Sequence, residues 1–138
     1  MAGTVVFYDG ECGLCNRFVR FVLRRDSQRR IRFAPLQGAI ARTVLVPRGL
    51  NPADLDTVYA VADWQGPSEQ VVARSRAVFH VLGALGGAWH TLARLGLLMP
   101  ATVADGVYRA IARVRYPLFG RLESCPIPPP EWRDRFLD

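Results

Sequence analysis

The sequence predicts an α/β fold, a four-stranded mixed sheet flanked by helices with further helices toward the C-terminus. Three observations carry this. Short β-branched and aromatic runs recur at strand length: TVVFY at 4–8, IRFAPL at 31–36, TVYAVA at 57–62 and QVVA at 70–73. The first two flank a stretch of helical periodicity, whereas the last two are joined closely enough for a hairpin. Half of the 138 residues are hydrophobic, enough to bury a core and inconsistent with a chain disordered throughout.

Thr4 to Tyr8 reads as a buried strand, and Asp9-Gly10-Glu11 as the turn that ends it. An amphipathic helix then begins near Cys12. Leu14, Phe18, Phe21, Val22 and Arg25 follow its spacing, while Arg17, Arg20 and Arg24 line another face. The arginines toward its end suit the negative pole of the helix dipole. After the strand at Ile31–Leu36, a short helix over Gly38–Leu45 is closed by Pro47 and Gly49. The strands at 57–62 and 70–73 follow, joined through Asp63-Trp64-Gln65-Gly66, with Trp64 a candidate exposed contact residue. Ser75 is positioned to cap a helix carrying Val78, Val81, Leu82 and Leu85, broken at Gly86-Gly87. Pro100 suits the first turn of a last helix with a stripe of Val103, Val107, Ile111 and Val114. The tail CPIPPPEWRDRFLD is proline-rich and expected to begin extended.

This order, a βαβ unit followed by ββα, is the thioredoxin arrangement. One domain is expected over 1–138, with a βαβαββ core in 1–75, C-terminal helices in 76–122 and the tail in 123–138.

Charge and composition narrow the function. The net charge is +6, and all 18 basic residues are arginine. They are spread along the chain with no dense basic run interleaved with aromatics, so nucleic acid is not an expected partner. Tyr108, Arg109, Arg113, Arg115 and Tyr116 read as the solvated face of the last helix. Residues 78–100 are largely apolar and about long enough to span a bilayer. They also hold His80, His90, Arg94 and four glycines, which favours two packed helices, with peripheral membrane contact as a minor alternative. No charged segment followed by an apolar one opens the chain, so a cytoplasmic protein is expected; a monomer is expected as well. No phosphate-cradling loop, Ser-His-Asp set or carboxylate pair is present, and no cofactor is expected.

The chemistry concentrates in Cys12 and Cys15. A C-x-x-C at a helix start sets its first sulfur near unpaired backbone N–H groups and the positive pole of the dipole, which stabilise a thiolate. The second sulfur lies one turn on, close enough to close a disulfide. Cys12 is therefore the expected nucleophile toward a protein or small-molecule disulfide, and Cys15 the resolving thiol. Asp9 and Glu11 oppose the thiolate, and Asp9 is also a candidate proton acceptor for Cys15. That predicts a reductant, with a potential nearer ~−270 mV than ~−120 mV. Gly10, Gly13 and Leu14 complete the immediate setting, Gly10 permitting close approach. Two readings compete: a non-enzymatic interaction module on the same fold, and a structural zinc site. Zinc would need a second close ligand pair, but Cys125, His80 and His90 lack that spacing.

The sequence resembles the DCC family of predicted thiol–disulfide oxidoreductases, also known as DUF393. The resemblance rests on D-G-x-C-x-x-C at Asp9, Gly10, Cys12 and Cys15, and on the later segments RFAPLQ, SRAVFHVL, MP-x-x-x-x-D-x-VYR-x-IAR-x-RY and a CP-x-P tail at Cys125 and Pro126. It implies a thioredoxin-like fold and a redox-active cysteine pair, without naming a substrate. Thioredoxins place a cis-proline just before the third strand. Here Leu55-Asp56 holds that place and the nearest proline is Pro52, so a substrate-docking edge of that type is not expected. Cys125 is a possible third thiol, though a small buried residue anchoring the tail is the simpler reading. Trp89 and Trp132 read as packing anchors.

Overall fold

The computed structural model describes residues 3–10, 12–26, 30–52, 57–64, 66–67, 69–119 and 130–137. Its sheet has the order β2-β1-β3-β4, formed by β1 (Thr4–Tyr8), β2 (Ile31–Pro35), β3 (Tyr59–Ala62) and β4 (Gln70–Ala73). β1 pairs parallel with β2, Tyr8 standing opposite Pro35, and antiparallel with β3. β3 and β4 form the antiparallel hairpin. The helices are α1 (Gly13–Arg25), α2 (Ala39–Leu45), α3 (Ser75–Ala84), α4 (Gly87–Leu97) and α5 (Ala101–Phe119).

β1 is buried along its whole length, as its unbroken apolar run requires of a central strand. Its alternating side chains feed two layers. Val6 and Tyr8 join Ile31, Phe33 and Ala60 beneath Val19, Val22 and Leu23 of α1 and Ala77 and Val81 of α3. Val5 and Phe7 point the other way, with Ala34 and Val61, onto Ala41, Val44 and Leu45 of α2. The crossover helix α1 and α3 thus cover one face and α2 the other, which is the thioredoxin-like layering expected.

Several local expectations change. Ser75 is the first residue of α3 and does not cap it; its hydroxyl donates instead to Asp105 Oδ1 on α5 at 2.5 Å. The cap is Arg74, at φ 57°, where β4 turns sharply into the helix. Trp64 is half-buried against the α2 layer, not an exposed contact. The break at Gly86-Gly87 is real: both residues have positive φ, 76° and 59°, a region that favours glycine. The α5 stripe exists, but Val103, Val107, Ile111 and Val114 are all exposed, as are Leu92, Leu95 and Leu98 in and after α4. Among the described residues no helix is long and apolar enough to cross a membrane.

The tail returns to the sheet. A 3₁₀ segment, Pro130–Arg135, brings Phe136 beside Phe33 in a parallel bridge, and Leu137 N–H donates to Phe33 O at 2.9 Å. Arg135 is buried. Its guanidinium reaches Asp26 Oδ2 at 2.5 Å and Ile31 O at 2.8 Å, while the same carboxylate oxygen accepts Ile31 N–H at 2.8 Å. Trp132 packs against the α1 layer, as expected of an anchor. Trp89 meets Phe21 edge-on, ring centroids 4.9 Å apart.

Candidate functional site

The site forms where β1 ends. Asp9 O accepts Cys12 N–H at 3.2 Å, closing a tight turn that delivers the chain into α1. Cys12 is the N-cap residue in an extended conformation, and its Sγ accepts the Cys15 N–H at 3.3 Å. This is the position a Ser or Asp side-chain oxygen normally fills, satisfying one of the four unpaired donors of a helix start. Here a sulfur fills it, and negative charge on that sulfur meets both the N–H and the positive end of the dipole.

Two side chains outside the cysteine motif hold the turn. Asn16 Nδ2 donates to Gly10 O and to Cys12 O, each at 2.9 Å. Gln37 bridges across from the end of β2: its Nε2 donates to Asp9 Oδ1 at 2.8 Å and its Oε1 accepts Gly10 N–H at 3.0 Å. Asp9 is fully buried, so this amide supplies a donor that water cannot. Neither residue was singled out as a site residue from sequence, although Gln37 closes the RFAPLQ segment. The available signal was topological. Parallel β1 and β2 end at the same edge of the sheet, so residues just after β2 must lie beside the residues just after β1.

The two cysteines differ in exposure. Cys12 is 0 % exposed, whereas Cys15 is half-buried. Cys15 lies in the wall of a cavity of about 340 Å³ between α1, α3 and α5, with Leu14, Phe18, Val58, Tyr108 and Ile111 among its lining. Val58 N–H donates to the Tyr108 hydroxyl at 2.9 Å. Of the expected site residues, Asp9, Gly10, Cys12, Gly13, Leu14 and Cys15 therefore assemble around one helix start. Glu11, Cys125 and the Leu55-Asp56 pair lie outside the described residues. His80 is elsewhere, its ring near Thr4 Oγ1 at 3.2 Å, and burial pushes its pKa below the ordinary 6.5. Among the described residues no three His, Cys, Asp or Glu side chains converge as a metal-binding group.

Fold and site together define a thioredoxin-like protein with a C-x-x-C pair at the start of its first helix. The chain belongs to the family described as DCC1-like thiol-disulfide oxidoreductase, whose model matches residues 6–121. It is 35 % identical over 133 residues to the uncharacterised protein YuxK of Bacillus subtilis, covering 96 % of this chain and 93 % of that one. It is 32 % identical over 121 residues to a DCC family protein of Arabidopsis thaliana described as chloroplastic, covering 88 % of this chain and 67 % of that one. No solved structure matches it significantly.

Proposed function

We propose that this chain exchanges disulfides with a thiol or disulfide substrate through Cys12 and Cys15. The observation that carries the reading is the Cys12 sulfur at the N-cap of α1, accepting the backbone N–H of Cys15. That bond strengthens as the sulfur gains charge, so it favours the thiolate both as attacking group and as leaving group. The family description supports the same chemistry. Asp9, buried in the turn before Cys12, is the proposed proton acceptor during resolution, and its charge opposes the thiolate, so that the pair acts as a reductant. The reading also proposes a reducing, cytoplasmic setting.

The order inferred from sequence has Cys12 attack and Cys15 resolve. The burial of Cys12 favours a second order, in which substrate meets Cys15 and Cys12 completes the exchange from beneath.

A redox titration in defined thiol–disulfide buffers, with remaining thiols alkylated and counted by intact mass, tests the function. Cys12 and Cys15 should oxidise together and reversibly, with a midpoint near ~−270 mV. Failure to form the internal disulfide, or protection of both thiols until a chelator is added, would leave a structural or metal-bound pair instead.

A further inference from the structure

We propose that the cavity beside Cys15 is the substrate site, and that it takes the neutral, apolar body of a low-molecular-weight thiol or disulfide with Cys15 as the sulfur that meets it. The inference rests on the exchange reading above and adds to it a site, a substrate class and the identity of the entering sulfur.

Three features of the wall argue for this occupant. Its size, about 340 Å³, lies within the range of small-molecule pockets, and Leu14, Phe18, Val58, Val78 and Ile111 make it apolar. Besides Cys15, the polar side chains among its described lining residues are already committed, Ser75 to Asp105 and Tyr108 to the Val58 amide. Although 18 arginines are distributed along the chain, no Arg, Asp or Glu side chain is among its described lining residues. A charged thiol such as glutathione would lose hydration on entering and find no counter-charge among the described lining residues. An extended peptide fares no better, because the Val58 N–H that would pair with its backbone is taken by Tyr108. Val107 and Ile111, exposed yet part of the lining, form the mouth.

The chemistry balances with the substrate as oxidant. The Cys15 thiolate attacks one sulfur of R–S–S–R; that S–S bond breaks, RS⁻ leaves with the electron pair, and a Cys15–S–S–R bond forms. The Cys12 thiolate then attacks Cys15 Sγ and expels the second RS⁻. Two protein thiols are oxidised to one disulfide, one substrate disulfide is reduced to two thiols, and the two protons lost by the cysteines pass to the two RS⁻. In reverse, a substrate thiolate attacks Cys15 Sγ and the Cys12 sulfur leaves into its N-cap.

Reduced protein is mixed with neutral dipyridyl disulfide, dianionic bis(carboxyphenyl) disulfide and glutathione disulfide, each rate being divided by that of free cysteine with the same reagent. The normalised rate for the neutral reagent should exceed both others by about tenfold or more. Val107→Glu and Ile111→Glu, substitutions at exposed positions checked for folding by circular dichroism, should each reduce that preference about tenfold. Equal normalised rates, or a preference untouched by either variant, would overturn the site. In a Cys125→Ser background, Cys12→Ser should accumulate one adduct, mapped to Cys15. An equally fast adduct on Cys12 in Cys15→Ser would overturn the assignment of the entering sulfur. If the folded protein reacts with none of the reagents while its urea-unfolded thiols react with all, the exchange reading itself has failed, and this one with it.

Discussion

The two ends of α1 bury one carboxylate each and hold it in opposite ways. At the C-terminal end, Asp26 receives the Arg135 guanidinium and the Ile31 amide, a buried ion pair that ties the tail to the sheet. At the N-terminal end, Asp9 receives the neutral amide of Gln37, which in turn accepts the Gly10 N–H. A buried ion pair is rigid, and losing one partner strands a charge. A neutral amide bridge fixes geometry without adding a full positive charge beside the cysteines. The difference teaches that burial of an acid does not by itself mark function. Among the described contacts, Asp26 meets a cation at the end that anchors the tail, and Asp9 meets a neutral amide at the end that carries the proposed chemistry.

Breaking the structural end should give the largest effect. Arg135→Ala leaves Asp26 buried without its cation and should destabilise the fold by about 3–5 kcal/mol in urea unfolding. The Cys12–Cys15 midpoint should stay within ~15 mV of the unaltered protein, on a scale where ~30 mV corresponds to about 1.4 kcal/mol. A large shift in midpoint would mean the two ends of the helix are coupled.

Gln37→Ala sharpens the comparison from the other side. It removes a donor from Asp9 and an acceptor from Gly10, so the stability loss should be smaller, about 1–3 kcal/mol. Its mark should be a shift in midpoint exceeding that of Arg135→Ala. Comparable midpoints in the two variants would reduce the Gln37 bridge to a packing detail.

The smallest effect is expected from pH, through His80, which hydrogen-bonds Thr4 and belongs to neither carboxylate cluster. Burial lowers the pKa of His80 below 6.5, so near and below that pH the unfolded chain binds more protons at this residue than the folded one does. The stability that His80 contributes when neutral is present above 6.5 and falls as the pH drops through it. His80→Gln should flatten this part of the stability profile, measured by urea unfolding between pH 7 and 5 (about the span over which an ordinary histidine titrates). An unchanged slope would place the acid sensitivity elsewhere.

Much of this was legible in the sequence because it is local. The β1–turn–α1 junction, the β3–β4 hairpin and the Gly86-Gly87 break are each written within a few neighbouring residues, and each appears as expected. So does the pairing of Cys12 with the helix start. What periodicity does not encode is which distant groups meet. Gln37 lies 28 positions from Asp9, and Arg135 lies 109 from Asp26. Ser75 looked like a cap because serine at a helix start usually is one; its hydroxyl found Asp105 on a neighbouring helix instead. The Val103–Val114 stripe was visible as a pattern, but a helical pattern does not say whether its apolar side meets a core or, as here, remains exposed. The differing exposure of the two cysteines, from which the proposed entry of substrate at Cys15 follows, depends on helices α3 and α5 closing around one of them and is likewise absent from the motif.

The Asp26–Arg135 clamp also has a consequence in time. A ribosome delivers the carboxylate 109 residues before its cation, and the cation arrives only after α1 and every strand of the sheet have been made. Closing so long a loop carries an entropic cost that grows only slowly with length, but it cannot be met until the far end exists. Until Arg135 emerges, α1 must either keep Asp26 in water, its C-terminal turn frayed, or bury a lone charge. The nascent chain should therefore hold its first helix unfinished at the end away from the cysteines, and a segment translated 109 residues later is the one that sets the first helix in place.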